Sequence, residues 1–133
     1  MNLHDYFENT TGTGILSTAD NAGKVDAAIY ARPHVADNGT IAFLMRDRLT
    51  HHNLGQNPCA VYLFIEATPG YKGLRLYLEK IREEDDSELI AAMTRRCLSP
   101  EEDKARGPKF LVTFKVEKML ALIGSDSPAI ELL

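Results

Sequence analysis

Apolar and polar residues alternate with a period of two over much of this chain, and the runs are separated by glycine, asparagine and aspartate. A period of two sends successive side chains to opposite faces of an extended backbone, so it predicts strands. Residues 15–18 form a first short run, and Asp20, Asn21, Ala22 and Gly23 supply a hairpin turn after it. Over 25–32, Val25, Ala27, Ile29 and Ala31 share one face while Asp26, Ala28, Tyr30 and Arg32 share the other. Asp37, Asn38 and Gly39 mark the next turn, followed by a strand over 40–45. Residues 60–65 are apolar without interruption, which predicts a strand covered on both faces. Leu74, Leu76 and Leu78 then alternate with Arg75, Tyr77 and Glu79 over 74–81, and 110–123 carries Phe110, Val112, Phe114 and Val116 on one face. Six strands joined mostly by tight turns predict a mainly β fold, a small antiparallel barrel with a few helices.

A period near 3.6 replaces the alternation in three places. Residues 3–8 put Leu3, Tyr6 and Phe7 on one side of a short helix. Residues 87–97 align Leu89, Ile90, Met93 and Cys97, with acids at the start and Arg95 and Arg96 at the end, which suits the helix dipole. Ser99, Pro100 and Glu102 then read as an N-cap, a first-turn proline and a capping-box glutamate, and Gly107-Pro108 stops that helix.

With 133 residues, the chain is expected to form one domain over 1–133 and to bury about two thirds of its unfolded surface. The net charge of −4 is local: 79–104 hold nine acids against five bases, and the remainder has ten of each. No basic surface stands out, so nucleic acid is an unexpected partner. No apolar run reaches the ~20 residues of a membrane-spanning helix, and the first residues lack the pattern of a signal peptide. Together with Cys59 and Cys97, two thiols without CxxC spacing that are expected to be buried and reduced, this suggests a cytoplasmic protein.

Concentrated positive charge occurs between Arg46 and His52. The strand over 40–45 ends there, Arg46 and Arg48 follow, and Thr50 is placed to cap a helix that Pro58 terminates. A helix N-terminus offers free N–H groups and a partial positive charge, so guanidiniums, a hydroxyl and imidazoles at that end could hold a phosphate monoester; two solvated arginines beside an ordinary cap fit the same spacing. His51 and His52 are adjacent, pointing about 100° apart on a helix, and His4 and His34 have no HxH or HxxxH partner, so no metal site is expected. No GxSxG, P-loop or GxGxxG pattern occurs, and the acids over 83–86 read as a solvated helix start.

The segments GILSTADNAGKVDAAIYARPHV, GTIAFLMRD, RLTHHNLGQNP and CAVYLFI, in that order, resemble the FMN-binding split-barrel family of pyridoxamine 5′-phosphate oxidase over about residues 12–81. The resemblance implies a six-stranded antiparallel split β-barrel of the flavin-reductase and pyridoxamine-phosphate-oxidase type, with FMN at a homodimer interface. It puts the phosphate near Arg46, Arg48, Leu49, Thr50 and His51, and the flavin along the strand Asp26, Ala27, Ala28, Ile29 and Tyr30 and beside Leu44 and Met45. A cation near the pyrimidine carbonyl of the flavin would come from the other subunit, from Lys72 in the glycine-flanked loop after Tyr71 or from Arg75. Thr50 stands where many relatives carry a phosphate-binding lysine, and the substrate-binding arginine and histidine of the true oxidases have no match near the C-terminus. The expected function is therefore an FMN-dependent oxidoreductase of unspecified small-molecule substrate or electron donor, with a non-catalytic flavin-binding or electron-carrier module as the alternative.

Overall fold

In the computed structural model, which describes residues 1–85, 87–93 and 99–133, the chain opens with helix α1 (Leu3–Asn9). The Asn2 side chain accepts a hydrogen bond from the Asp5 N–H at 2.8 Å, which caps the helix as its residue type favours. Leu3, Tyr6 and Phe7 are buried, as the periodicity predicts. Arg32 donates to the carbonyls of Phe7 and Thr10 at 2.7 and 3.0 Å, so a cation satisfies the helix's C-terminal end.

Seven antiparallel strands follow: β1 (Gly12–Ala19), β2 (Val25–Ile29), β3 (His34–Val35), β4 (Ile41–Arg46), β5 (Cys59–Glu66), β6 (Gly73–Glu84) and β7 (Lys109–Ala121). They form one sheet in the order β2-β1-β5-β6-β7-β4-β3. The sheet curls until non-neighbouring strands meet. The Phe43 ring of β4 lies 4.8 Å from that of Tyr62 on β5 and 6.0 Å from that of Tyr30 beyond β2. Leu16, Phe43, Tyr62, Phe64, Leu76 and Phe114 are fully or almost fully buried in the resulting core, each stabilising the fold by about 1.5–3 kcal/mol. The barrel does not close: β2 and β3 are both edges, and the split lies between them.

The expected six strands become seven. Pro33 cannot donate to a ladder and ends the extended run, so β2 stops at Ile29 and the separate two-residue β3 pairs with β4 through His34–Ala42 and Val35–Ile41. Strand β5 is not covered on both faces by this chain: Ala60, Tyr62 and Phe64 are buried, whereas Val61, Leu63 and Ile65 are half-buried on the outer face. Cys59 is exposed at the start of β5, not buried; Cys97 lies outside the described residues.

Helix α2 (Leu49–Gln56) joins β4 to β5. The insert between β6 and β7 contains α3 (Ser87–Met93) and α4 (Pro100–Ala105). In α3, Ile90 packs with Ala42 and Leu111, but Leu89 is exposed, so the apolar stripe is narrower than its spacing suggests; its expected extension to Cys97 lies outside the described residues. The Ser99 hydroxyl accepts from the Glu102 N–H at 3.1 Å, as a capping box requires. Among the described residues, no helix is long and apolar enough to cross a membrane.

Candidate functional site

A cleft of about 410 Å³ lies beside the split, bounded by β2, the end of β4 and the first turn of α2. Its lining includes Ala28, Ile29, Tyr30, Leu44, Met45, Arg46, Arg48, Leu49 and Thr50, nine of the residues singled out in the sequence. Asp26, on the strand that the resemblance assigns to the flavin, and Ala31, just past the end of β2, complete it.

Strand β2 presents two different surfaces. The Tyr30 N–H donates to Gly14 and the Asp20 N–H to Lys24, both in the register that pairs Ile15 with Ile29. Hydrogen-bonded and non-bonded pairs alternate along an antiparallel ladder, so the even-numbered residues of β2 bond to β1. Val25, Ala27 and Ile29 consequently turn their N–H and C=O groups to the free edge. Ala27 does not line the cleft with its side chain, which is exposed beside Val25 and Ile29, but its backbone belongs to that edge. The Tyr62 hydroxyl fixes the end of the strand, donating towards the carbonyls of Tyr30 and Ala31 at 3.1 and 3.2 Å. Gly14 makes this possible, because a Cβ there would overlap that hydroxyl.

Thr50 does not cap α2. The N-cap is Arg48, extended at φ −125° and ψ −171°, and among the described residues no side chain caps the first turn. Thr50 is the second residue of the helix and 2% exposed, where its hydroxyl shares a hydrogen bond with the Tyr30 phenol. Burial pushes that phenol above its ordinary value; the Thr50 hydrogen bond opposes the shift and the charge of Asp26 adds to it. Behind Thr50, Asn53 donates to the Thr18 hydroxyl at 3.1 Å, both side chains being buried, and so ties α2 to β1.

The cations differ in availability. Arg46 is half-buried and donates to the Gly107 carbonyl at 2.7 Å. Arg48 is exposed, and its guanidinium has no partner among the described residues. His51 is turned out of the cleft: Nδ1 lies 2.8 Å from Asp47, Nε2 lies 2.9 Å from Glu83, and the ring stacks on Phe110 at 4.2 Å. Lys72 belongs to the loop that joins β5 to β6 and is not part of the lining; its carbonyl accepts from the Glu66 N–H. Among the described residues, no cluster of three histidines, cysteines or carboxylates is arranged to hold a metal.

A groove holding an uncommitted guanidinium, an uncapped helix N-terminus, a tyrosine phenol and an open strand edge can take an anionic group at one end and a flat polar group along the other. No family profile and no curated protein matches the sequence. Solved structures do match in shape. An FMN-binding protein from Syntrophomonas wolfei subsp. wolfei superposes with a TM-score of 0.73 at 20% identity, covering 91% of this chain and 84% of that one. HupZ from Group A Streptococcus gives 0.68 at 16%, covering 96% of each chain. A Lactobacillus delbrueckii protein described as a candidate pyridoxamine 5′-phosphate oxidase gives 0.63 at 15%, covering 87% and 88%. The chain is therefore built on the split-barrel fold of the pyridoxamine 5′-phosphate oxidase-like proteins.

Proposed function

We propose that the cleft binds FMN and that the protein is a flavin-dependent oxidoreductase acting as a homodimer. The observation that carries this reading is the pairing of Arg48, whose guanidinium has no partner among the described residues, with the uncapped first turn of α2 at one end of a cleft whose other end is a free strand edge. The residues fit the group. Arg48 and the amides of Leu49 to His51 would hold the phosphate, with Arg46 beside them. Ala28 is small enough for a ring to lie against the strand, and the N–H and C=O groups of Ala27 and Ile29 match the donor and acceptor edge of a flavin. Asp26 would accept from a hydroxyl of the ribityl chain.

When bound, the flavin supplies the hydride and electron transfer. The chain's own part is to orient it, exclude water and hold protons. Tyr30, with a phenol kept protonated by burial, is a hydrogen-bond donor at neutral pH and not a base. Support for a second copy comes from the outer sheet face: Val25 and Ile29 are 83% and 71% exposed, and Ile15, Val61 and Leu63 next to them are half-buried. An apolar face of that kind marks an interaction surface, and Lys72 would reach the flavin from the partner.

The electron-carrier reading is favoured by one observation: Asp26 is the only carboxylate lining the cleft, so an acid–base pair for substrate chemistry is lacking among the described residues. The visible spectrum of the purified protein tests the main reading. Flavin absorption with one FMN released per chain on denaturation is expected; a colourless protein that also fails to take up added FMN refutes it. Turnover with NADH or NADPH and an artificial acceptor separates an enzyme from a carrier, and size-exclusion chromatography with light scattering tests the dimer.

A further inference from the structure

His51 occupies an unusual position for a residue next to a cleft. Its two ring nitrogens face two carboxylates, Asp47 from the loop before α2 at 2.8 Å and Glu83 from β6 at 2.9 Å. A neutral imidazole has one N–H and one bare lone pair, so it can donate to only one of them; donating to both requires the imidazolium. The ring is nearly coplanar with Phe110 of β7, 7° between planes, which fixes it against the sheet. Three separate elements therefore converge on one side chain.

We propose that His51, as an imidazolium, is a positioning residue that clasps the first turn of α2 to β6 and β7, and that anion retention in the cleft weakens when the ring loses its proton. The second half rests on the reading of the cleft as a phosphate site. Among the described residues, the charged groups around the ring are few. His52 of α2 lies 3.2 Å from Asp47, Lys80 of β6 donates to the same Glu83 oxygen at 3.0 Å, and β7 contributes the uncharged Phe110. With His51 charged, Asp47 and Glu83 are balanced by His51 and Lys80. With His51 neutral, the cluster keeps one uncompensated negative charge beside the segment that carries Arg46 and Arg48, and only one of Asp47 and Glu83 keeps a hydrogen bond from the ring. Both carboxyls are held below their usual range. For Asp47 the hydrogen bond from His51 is the main cause; for Glu83 partial burial acts upwards but is outweighed by the hydrogen bonds and charges of His51 and Lys80. They thus stay ionised over the whole range in which an imidazole titrates.

The test compares the protein with His51→Gln, which can still hydrogen-bond but cannot titrate, at pH 5.5 and 8.5. A unit charge about one Debye length from a phosphate changes its affinity by about twofold to fourfold. FMN affinity of the unmodified protein relative to His51→Gln is expected to be higher by that factor at pH 5.5 and equal at pH 8.5, while riboflavin, which lacks the phosphate, gives the same ratio at both. A ratio for FMN that does not change with pH, or a riboflavin ratio that changes equally, overturns the proposal. If neither protein binds FMN at either pH, the reading of the cleft fails, and the clasp is decided without ligand. The His52 N–H donates to the Arg48 carbonyl at 3.0 Å, so its hydrogen-exchange protection reports the first turn of α2. Protection that falls across the His51 titration, followed by ring ¹⁵N NMR, supports the clasp; protection indifferent to it overturns it. Should His51→Gln not fold, Glu83→Gln serves instead: removing one facing carboxylate is expected to move that crossover to lower pH, and an unmoved crossover overturns the clasp.

Discussion

The link between α2 and β1 rests on one buried polar pair, which makes it a sharp test of how the cleft is held. Asn53 and Thr18 are 4% and 3% exposed, and the Asn53 amide donates to the Thr18 hydroxyl at 3.1 Å. Asn53→Ala strands the Thr18 hydroxyl away from water. The penalty for an unsatisfied buried group is about 1–3 kcal/mol, and the space vacated by the amide adds to it, for a total of about 2–3 kcal/mol. With a urea m-value of about 1.5 kcal/mol/M, that lowers the unfolding midpoint by about 1.5 M at unchanged slope. The double variant Thr18→Val with Asn53→Leu removes both partners while keeping their volumes, and is expected within about 1 kcal/mol of the original protein. Urea unfolding of Thr18→Val, Asn53→Leu and the double completes a double-mutant cycle. A double variant as unstable as the sum of its singles would show that the pair contributes packing alone, and would refute the reasoning.

Three further outcomes follow from the geometry. Arg48→Ala is expected to weaken FMN binding by about 1.5 kcal/mol, roughly tenfold, at the low end for a charged hydrogen bond because the side chain is exposed; unchanged affinity by fluorescence quenching moves the phosphate elsewhere. The carboxyls of Asp47 and Glu83 titrate below their usual range in the folded protein, so their contribution is present above that range and is lost as the pH falls through the lowered folded values. Thermal melts between pH 6 and 2 are therefore expected to show a shallower acid loss in Asp47→Asn/Glu83→Gln than in the unmodified protein. Glu117 behaves in the opposite sense: a hydrogen bond to Glu79 and then its charge raise the Glu117 carboxyl, which makes the ionised pair unfavourable near neutrality. Glu117→Gln is expected to raise the Tm at pH 7 and to leave it unchanged below the usual carboxylate range.

Much of the barrel can be read from alternation, because one face of each strand must be apolar and the other is free to differ. Leu74, Leu76 and Leu78 in β6 and the Leu3, Tyr6 and Phe7 face of α1 follow that logic. The departures have distinct physical origins. β3 has two residues, too few for any period to register. Thr50 is shifted by two positions from the cap that its residue type suggests, because its hydroxyl meets Tyr30, which comes from another strand. The direction of His51 is set by Glu83, 32 positions away, and no local pattern encodes that contact. The grouping of Asp26, Ala28, Tyr30, Met45 and Arg48 was legible through order and resemblance, whereas Ala31, one residue past that strand, joins the lining only through the fold.

The free edge of β2 has a consequence for handling the protein. A strand with unpaired N–H and C=O groups, flanked by an exposed valine and isoleucine, is a template on which a second chain can add by the same ladder that joins β2 to β1. A ligand laid along that edge would occupy those groups and act as a strand cap. Preparations stripped of ligand should then aggregate more readily than loaded ones, and solubility during expression should follow the supply of the small molecule as much as the stability of the core.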